Sequence, residues 1–431
     1  MRRWLLLLFL ATMAVDWPRL PVNARLTDFV FVAAAVAILV SQKSWVRPRF
    51  TILDIAILGY LAGSVPAVIF SPEPRASGFE LVRQLYLAAI YVVIAIAVRQ
   101  DLAMTVATGI ALSGAVLAAV GVAAFLVHTV VGVGTTALTP VMTLPYVGET
   151  VRISALTATP AILACVLAMA VPFVALHPFV MRTRLRTVAS ATMLGLATVL
   201  TYSHSVAGVV VSTLVAAWHS IRSHRPLRTA ALAFTVLIVI ALNFAASFSI
   251  RSIGESRLRD DTVFQYGVDA GRAQIAGVNV EYQTMSYLRI KQVAWDAFMS
   301  VPLFGVGLDR FHRVTEIAYA QGRLTANYRA IDPHSSFFGR LAEAGLAGGV
   351  TLLVLWIAIV VTIDRLRRRQ GDDWMVIAAA AGIIGTLVNS MNADVMNFRF
   401  LWAALGLVAG LDNIHGNTEA QKHGKSFSGS R

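Results

Sequence analysis

Residues 341–363 read LAEAGLAGGVTLLVLWIAIVVTI, an apolar run long enough to cross a bilayer as one helix. The stretch leading into it, from Arg251 to Glu343, is mostly polar and closes with Pro333-His334-Ser335-Ser336-Phe337-Phe338. Runs like 341–363 recur on both sides of this stretch, so the chain reads as membrane helices interrupted by one long polar loop. Loops longer than about 12–15 residues are usually functional or disordered. A site is therefore expected in the loop, with His334 at the start of the next helix.

Composition supports this reading. Of the 431 residues, 57% are hydrophobic and 14% charged, and mean hydropathy is +0.70, which excludes an ordinary soluble protein. The only cysteine is Cys165, so neither an intrachain disulfide nor a thiolate metal cluster is possible. In a soluble protein a net charge of +13 would suggest nucleic acid; in a membrane chain it reflects Lys and Arg in short cytoplasmic loops, and no nucleic-acid partner is expected. Met1-Arg2-Arg3 and the apolar residues after it resemble a signal peptide, but Asp16-Trp17-Pro18 offers no cleavage site, so a retained first span is expected.

Apolar runs centre on 4–20, 27–41, 52–70, 81–98, 102–127, 156–177, 187–203, 205–221, 229–249, 341–363, 374–392 and 398–413. The expected fold is all-α: a polytopic membrane protein of about twelve transmembrane helices with a large extracytoplasmic loop. Nine spans fall in 1–250, the loop with a surface helix in 251–340, three spans in 341–413, and a disordered cytoplasmic tail in 414–431. Basic residues set the orientation. Lys43, Arg47, Arg49, Arg99, Arg182, Arg184, Arg186, Arg222, Arg225, Arg228, Arg365, Arg367, Arg368 and Arg369 fall on one side of this layout, as do Arg2 and Arg3. The short loops of the other side hold only Arg19, Arg25, Arg75, Arg83, Arg152 and Arg399. Both termini are then cytoplasmic and the long loop faces outward. No internal repeat is visible, and acidic residues near mid-span are few, which weighs against an ion-coupled transporter.

Within the loop, Ile290, Val293, Ala294, Ala297 and Phe298 recur at helical spacing, and Pro302 with Gly305 stops the pattern. A helix with one apolar stripe rests on the membrane surface or on the tops of the spans; Lys291 reads as an interfacial anchor. Five tyrosines (Tyr266, Tyr282, Tyr287, Tyr319 and Tyr328) and Trp295 share the loop, as interfacial residues or as stacking surfaces for sugar rings. His334 is the candidate general base for taking a hydroxyl proton, and nearby arginines suit a phosphate-bearing leaving group. No nucleotide pool exists outside the membrane, so the donor would be carried on lipid.

These residues resemble the O-antigen ligase and polymerase superfamily of bacterial envelope glycosyltransferases. Its pattern is a Trp, then Pro-Leu-x-Gly-x-Gly, a variable outer segment, His-Asn-x-(aromatic)-Leu and Leu-x-Glu-x-Gly-Leu-x-Gly. This chain has Trp295, Pro302-Leu303-Phe304-Gly305-Val306-Gly307, His334-Ser335-Ser336-Phe337-Phe338 and Leu341-Ala342-Glu343-Ala344-Gly345-Leu346-Ala347-Gly348. The resemblance implies a GT-C-like architecture and metal-independent, inverting transfer of a glycan from undecaprenyl diphosphate, without a cofactor, in the bacterial inner membrane. The acceptor would be a glycan, lipid or protein hydroxyl, and other polysaccharide-assembly proteins are implied as partners. By position, His334 and Arg289 would be catalytic, Arg152 and Arg289 would hold the diphosphate, and Ser335, Glu343 and Trp295 would support them. Two positions depart from the pattern: Ser203-His204-Ser205 stands where the family has Ser-Arg-(Gly/Ser), and Ser335 replaces the Asn after the histidine. His204 would then contribute to diphosphate binding in place of an arginine. The alternative readings are a transporter or flippase of lipid-linked glycans, and a non-catalytic partner of polysaccharide assembly. Catalysis requires His334, Arg289 and Arg152 to converge at the outer mouth of a cavity.

Overall fold

The computed structural model describes residues 1–16, 25–41, 50–144, 148–222, 248–252, 269–275, 278–284, 288–324, 328–371 and 373–428. Among these residues, ten helices and a short connector precede the polar loop. They are α1 (Arg2–Thr12), α2 (Leu26–Val40), α3 (Ile52–Ala62), α4 (Val65–Ile69), α5 (Pro74–Ala97), α6 (Ala103–Val131), α7 (Pro160–Leu176), α8 (Pro178–Met181), α9 (Arg184–Leu200) and α10 (Val206–Arg222), with a π-helical turn at Val98–Leu102 between α5 and α6. The loop contributes α11 (Leu288–Ser300) and α12 (Phe311–Ala320). Three long helices complete the bundle: α13 (Ser336–Gln370), α14 (Trp374–Val388) and α15 (Arg399–Ser428).

Among the described residues, four helical stretches are long and apolar enough to cross a membrane: Ile52–Ile69, Pro74–Val131, Ser336–Gln370 and Trp374–Met391. Three shorter apolar helices accompany them, Leu26–Val40, Pro160–Leu176 and Val206–Trp218. Pro74–Val131 is two arms, because Gln100 and Asp101 leave helical φ/ψ between α5 and α6. On α13 both faces are apolar. Leu352, Leu355, Ala358, Ile359 and Leu366 are buried, while Val350, Val354, Ile357 and Val360 are exposed. Water would not tolerate that outer face and lipid does. The protein is an α-helical membrane protein.

The expected spans and the observed helices differ in places. The run at 4–20 forms a helix only to Thr12, after which Asp16 pairs with Arg25 at the foot of α2. The run at 229–249 lies outside the described residues, apart from its last two positions, which open a strand. The tail expected to be disordered continues α15 to Ser428, through the strong helix formers Glu419, Ala420, Gln421 and Lys422. The fold is also not purely helical. Val141–Leu144 pairs with Gly148–Val151, and Phe248–Ser252, Asp269–Ile275 and Val278–Thr284 form an antiparallel sheet with Val278–Thr284 in the centre.

The centre of the bundle is α7, whose residues from Leu163 to Ala170 are at most 1% exposed. Surrounded by α6, α10 and α14, it is apolar all round, as a helix without a solvent face must be. In lipid, burial of apolar surface gives little driving force, so close packing of small residues has to supply it. Gly208 of α10 and Gly385 of α14 do so directly: a Cβ on either would collide with the other's carbonyl oxygen. This contact brings the N-terminal end of α10 against Asn389, whose Oδ1 accepts from the Gly208 amide at 3.0 Å. The turn following α14 is thereby fixed beside the loop.

The helix expected at Ile290–Phe298 is present, and its stripe is buried: Ile290, Val293, Ala294, Ala297 and Phe298 are 0–8% exposed. It packs on Phe311, Ala318, Leu324 and Ala342, at the tops of the spans.

Candidate functional site

His334 closes the loop one residue before the N-cap of α13. Ser335 is that cap, fully buried, its Oγ accepting from the Phe338 amide at 3.4 Å. Pro333 folds back over the first turn of α13 because Gly339 has no side chain in its way. His334 has φ +48°, a conformation that is uncommon for residues with a side chain, although His is enriched there. Asp332 holds it in place: the His334 amide donates to Asp332 Oδ1 at 3.1 Å, and His334 Nδ1 contacts the same carboxylate. Neutral imidazole in this contact carries its proton on Nδ1 and its lone pair on Nε2.

Beneath this turn lies a cavity of about 150 Å³. Asp332 and Pro333 line its upper part; Ser336, Arg340 and Glu343 line it from α13, Tyr60 from α3, and Glu80, Arg83 and Gln84 from α5. Asp309, Asp394 and Asn397, with Gly339, Leu352 and Met396, complete the wall. Arg340, 6% exposed, reaches across to α3, where Nη2 donates to Tyr60 O at 3.0 Å and to Ser64 Oγ. Its guanidinium lies 4.2 Å from the centre of the Tyr60 ring, a cation–π contact that burial strengthens. Ser64 in turn donates to Gln84 at 2.7 Å. On α5, Arg83 pairs with Glu80 at 3.1 Å.

The floor depends on a break in α13. At Gly345 the backbone takes φ +62° and ψ −155°, a region essentially confined to glycine. The break releases backbone groups, and the loop takes them up. Val306 N donates to Ala342 O at 2.9 Å, Gly307 N to Glu343 O at 3.0 Å, and Leu346 N to Pro302 O at 2.8 Å. Pro302–Gly307 and the α13 break therefore clasp one another, and Glu343 is turned toward the cavity. One oxygen of its carboxylate accepts from the Phe311 amide at 3.3 Å, tying α12 to the same point.

The turn after α14 forms the remaining side. Ser336 Oγ accepts from the Val395 amide at 2.8 Å and faces Ala393 O at 3.2 Å and Asp394 Oδ1 at 3.0 Å. Lys291 of α11 donates to Asn392 Oδ1 at 3.0 Å. Expected to be an interfacial anchor, Lys291 instead reaches the turn beside the cavity, and burial lowers its ammonium pKa.

The other residues singled out in the sequence fall in two further places. Arg152 donates through Nε to Thr201 O at 2.8 Å, in the turn that goes on to His204; both are partly buried. Arg289 is partly buried on α11, and Trp295 on the same helix is 45% exposed, its ring 5.2 Å from Phe298. Arg152, His204, Arg289 and Trp295 are not among the residues lining the cavity. Of the three residues expected to converge at a cavity mouth, His334, Arg289 and Arg152, none is in the wall of this cavity; α10 and α11 each reach the turn after α14, through Gly208 to Asn389 and through Lys291 to Asn392. Around the cavity the cations are Arg83 and Arg340. Arg83 was counted as a loop charge, and Arg340 sits between the matched motifs, so neither stood out in the sequence. Asp332, two residues before His334, is a carboxylate that proximity alone could have flagged.

Two carboxyl groups at the site are shifted in opposite directions. Burial acts to raise Asp332, but its hydrogen bonds to His334, the imidazolium charge and Arg83 outweigh it and hold the group below the usual range. Burial raises Asp394 above the usual range, and the charge of Asp332 adds to the effect against Arg83, Ser336 and Arg340. Because the folded pKa of Asp332 lies below its unfolded value, its pairing adds stability above the unfolded value that is lost as pH falls through the folded one. Wild type should therefore unfold at higher temperature than Asp332→Asn near neutrality, with the gap closing below the ordinary carboxylate range. A gap that widened on acidification would contradict the pairing. Among the described residues, no group of three or more His, Cys, Asp or Glu side chains is arranged to hold a metal ion.

The family model described as O-antigen ligase matches residues 188–353, from α9 through the polar loop to the middle of α13. The matched region contains His334, the clasp and the α13 wall of the cavity, and the match supports a likeness to the O-antigen ligase-like superfamily. No curated protein matches the chain.

Proposed function

We propose that the protein transfers a glycan from undecaprenyl diphosphate, or a similar lipid diphosphate, to a hydroxyl acceptor outside the cytoplasm. The observation that carries this reading is the Asp332–His334 pair at the rim of a polar cavity inside a region matched by the O-antigen ligase family. In the proposed step His334 Nε2 takes the acceptor's hydroxyl proton as the oxygen bonds to the anomeric carbon. The bond from that carbon to the diphosphate oxygen breaks, and the electron pair leaves with the diphosphate. Attack opposite the leaving group inverts the anomeric centre. Asp332 stabilises the imidazolium that forms. Arg289, Arg152 and His204 would receive the departing diphosphate, whose charge suits guanidinium. The reaction so written needs no metal or cofactor.

The proposed setting is the bacterial inner membrane, with both termini in the cytoplasm and the cavity facing outward. Arg365, Arg367, Arg368 and Arg369 stand at the end of α13 away from the cavity, as the positive-inside rule requires of a cytoplasmic end. The domain division proposed is nine spans before the loop, three after it, and the site between. A strain lacking the gene tests the reading. Loss of long envelope glycan chains would indicate a polymerase, and accumulation of finished polymer on its lipid carrier a ligase. Unchanged envelope glycan would remove the proposal.

A further inference from the structure

We infer that the cavity beneath His334 is the acceptor subsite, and that it takes a single hydroxyl-rich sugar ring carrying no negative charge. The inference rests on the glycan-transfer reading above and adds the class of acceptor to it.

The first argument is charge. Glu80, Asp309, Asp332, Glu343 and Asp394 line the cavity against only Arg83 and Arg340, and Arg83 is already paired with Glu80 at 3.1 Å. Arg340 is likewise engaged, by Tyr60 O and Ser64, so a diphosphate or an acidic sugar would lose its water here without finding a free cation among the lining residues. Sugar hydroxyls both donate and accept, and a carboxyl group can answer either role, ionised or protonated. Size is the second argument. A cavity of about 150 Å³ holds roughly one six-membered ring. Position is the last: Asp332 belongs both to the cavity wall and to the His334 pair, so a ring seated there lies against the carboxylate that holds the base. The arginines proposed for the donor diphosphate stand outside this wall. Acceptor and leaving group are thus received in regions of opposite charge.

The test is saturation-transfer NMR on the full-length protein in detergent micelles, with methyl β-glucopyranoside and glucuronic acid as separate probes. Neither donor nor turnover is needed. The glucoside should receive saturation, and glucuronic acid at neutral pH should bind at least tenfold more weakly. The double variant Glu343→Gln, Asp309→Asn should lose glucoside binding at least tenfold while its thermal unfolding shows that it is folded. If that variant does not fold, Glu80→Gln is read in the same way. Glucuronic acid binding as well as the glucoside, unchanged glucoside binding in the folded variants, or no binding of the glucoside would each overturn the inference. Failure here leaves the transfer reading intact. Unchanged glycan in the deletion strain would remove that reading and leave the sugar pocket standing.

Discussion

His334→Ala should lower glycan transfer about 10²- to 10⁴-fold, the range that a positioned general base contributes. The expectation follows from geometry. The ring is clamped by Asp332 from two directions, through the backbone amide at 3.1 Å and through Nδ1, and the turn that holds it caps a helix whose first residues line the cavity. Removing the imidazole leaves the cavity and the diphosphate arginines in place. Donor and acceptor should therefore still bind, and the loss should fall on turnover rather than on binding. Asp332→Asn should give a smaller loss, because an amide can still orient the ring but does not stabilise the imidazolium. The measurement is the rate of glycan extension or attachment in membranes from the deletion strain carrying each variant at equal protein level. Full activity of His334→Ala would end the proposed mechanism, and a loss in Asp332→Asn larger than that in His334→Ala would reassign the base to the carboxylate.

The second large effect is structural. Gly345→Ala should destabilise the protein by roughly 2–6 kcal/mol, combining backbone strain with overpacking. Strain arises because φ +62° with ψ −155° excludes a side chain, and the overpacking because a Cβ there would run into the Leu303–Phe304 peptide. That peptide cannot retreat, since the clasp of Pro302–Gly307 fixes it to α13 on either side of the break. Set against a typical total of about 5–15 kcal/mol, the change should give poorly folded protein or a large fall in unfolding temperature. Gly322→Ala separates the two causes. Gly322 also has positive φ, +71°, but nothing lies within 4 Å of its added Cβ, so only about 1–2 kcal/mol of left-handed strain is expected. Unfolding temperatures in detergent, followed by size-exclusion profile, compare the pair. If Gly345→Ala falls no further than Gly322→Ala, the clasp is not what sets the break.

Sequence pattern was most informative where one element's own periodicity carries the information. Ile290, Val293, Ala294, Ala297 and Phe298 announced a stripe, and the stripe is the buried face of α11. It was less informative where apolar length alone was read. The first run continues past Thr12 in composition, but the helix stops there. In the polar loop, Val278, Val280 and Tyr282 alternate with polar residues, a strand pattern too short to stand out against loop composition. The central strand of the sheet was missed for that reason.

The site divides in the same way. His334, Ser335 and Glu343 are close in sequence and lie on one helix entrance, so motif reading could reach them as a group. Arg340 could not be told from a surface cation, because a charge count registers an arginine without registering that α3 and α5 close over it. Arg83 and Asp394 come from elements far apart in the chain and meet Arg340 only through packing.

By itself, then, the amino-acid sequence determined that this is a helical membrane chain, where several of its long apolar helices run, that a long polar loop carries the histidine, and which superfamily the motifs resemble. Those properties are local: hydropathy and periodicity follow from residues within a few turns of one another. Only the tertiary structure decided that α13 breaks at Gly345, that the loop clasps the break, and that the cations at the cavity are Arg83 and Arg340 rather than Arg152 and Arg289. Each of these depends on which helix faces meet, and that is set by close packing of small residues and by hydrogen bonds between distant segments, such as Arg340 and Tyr60, 280 residues apart.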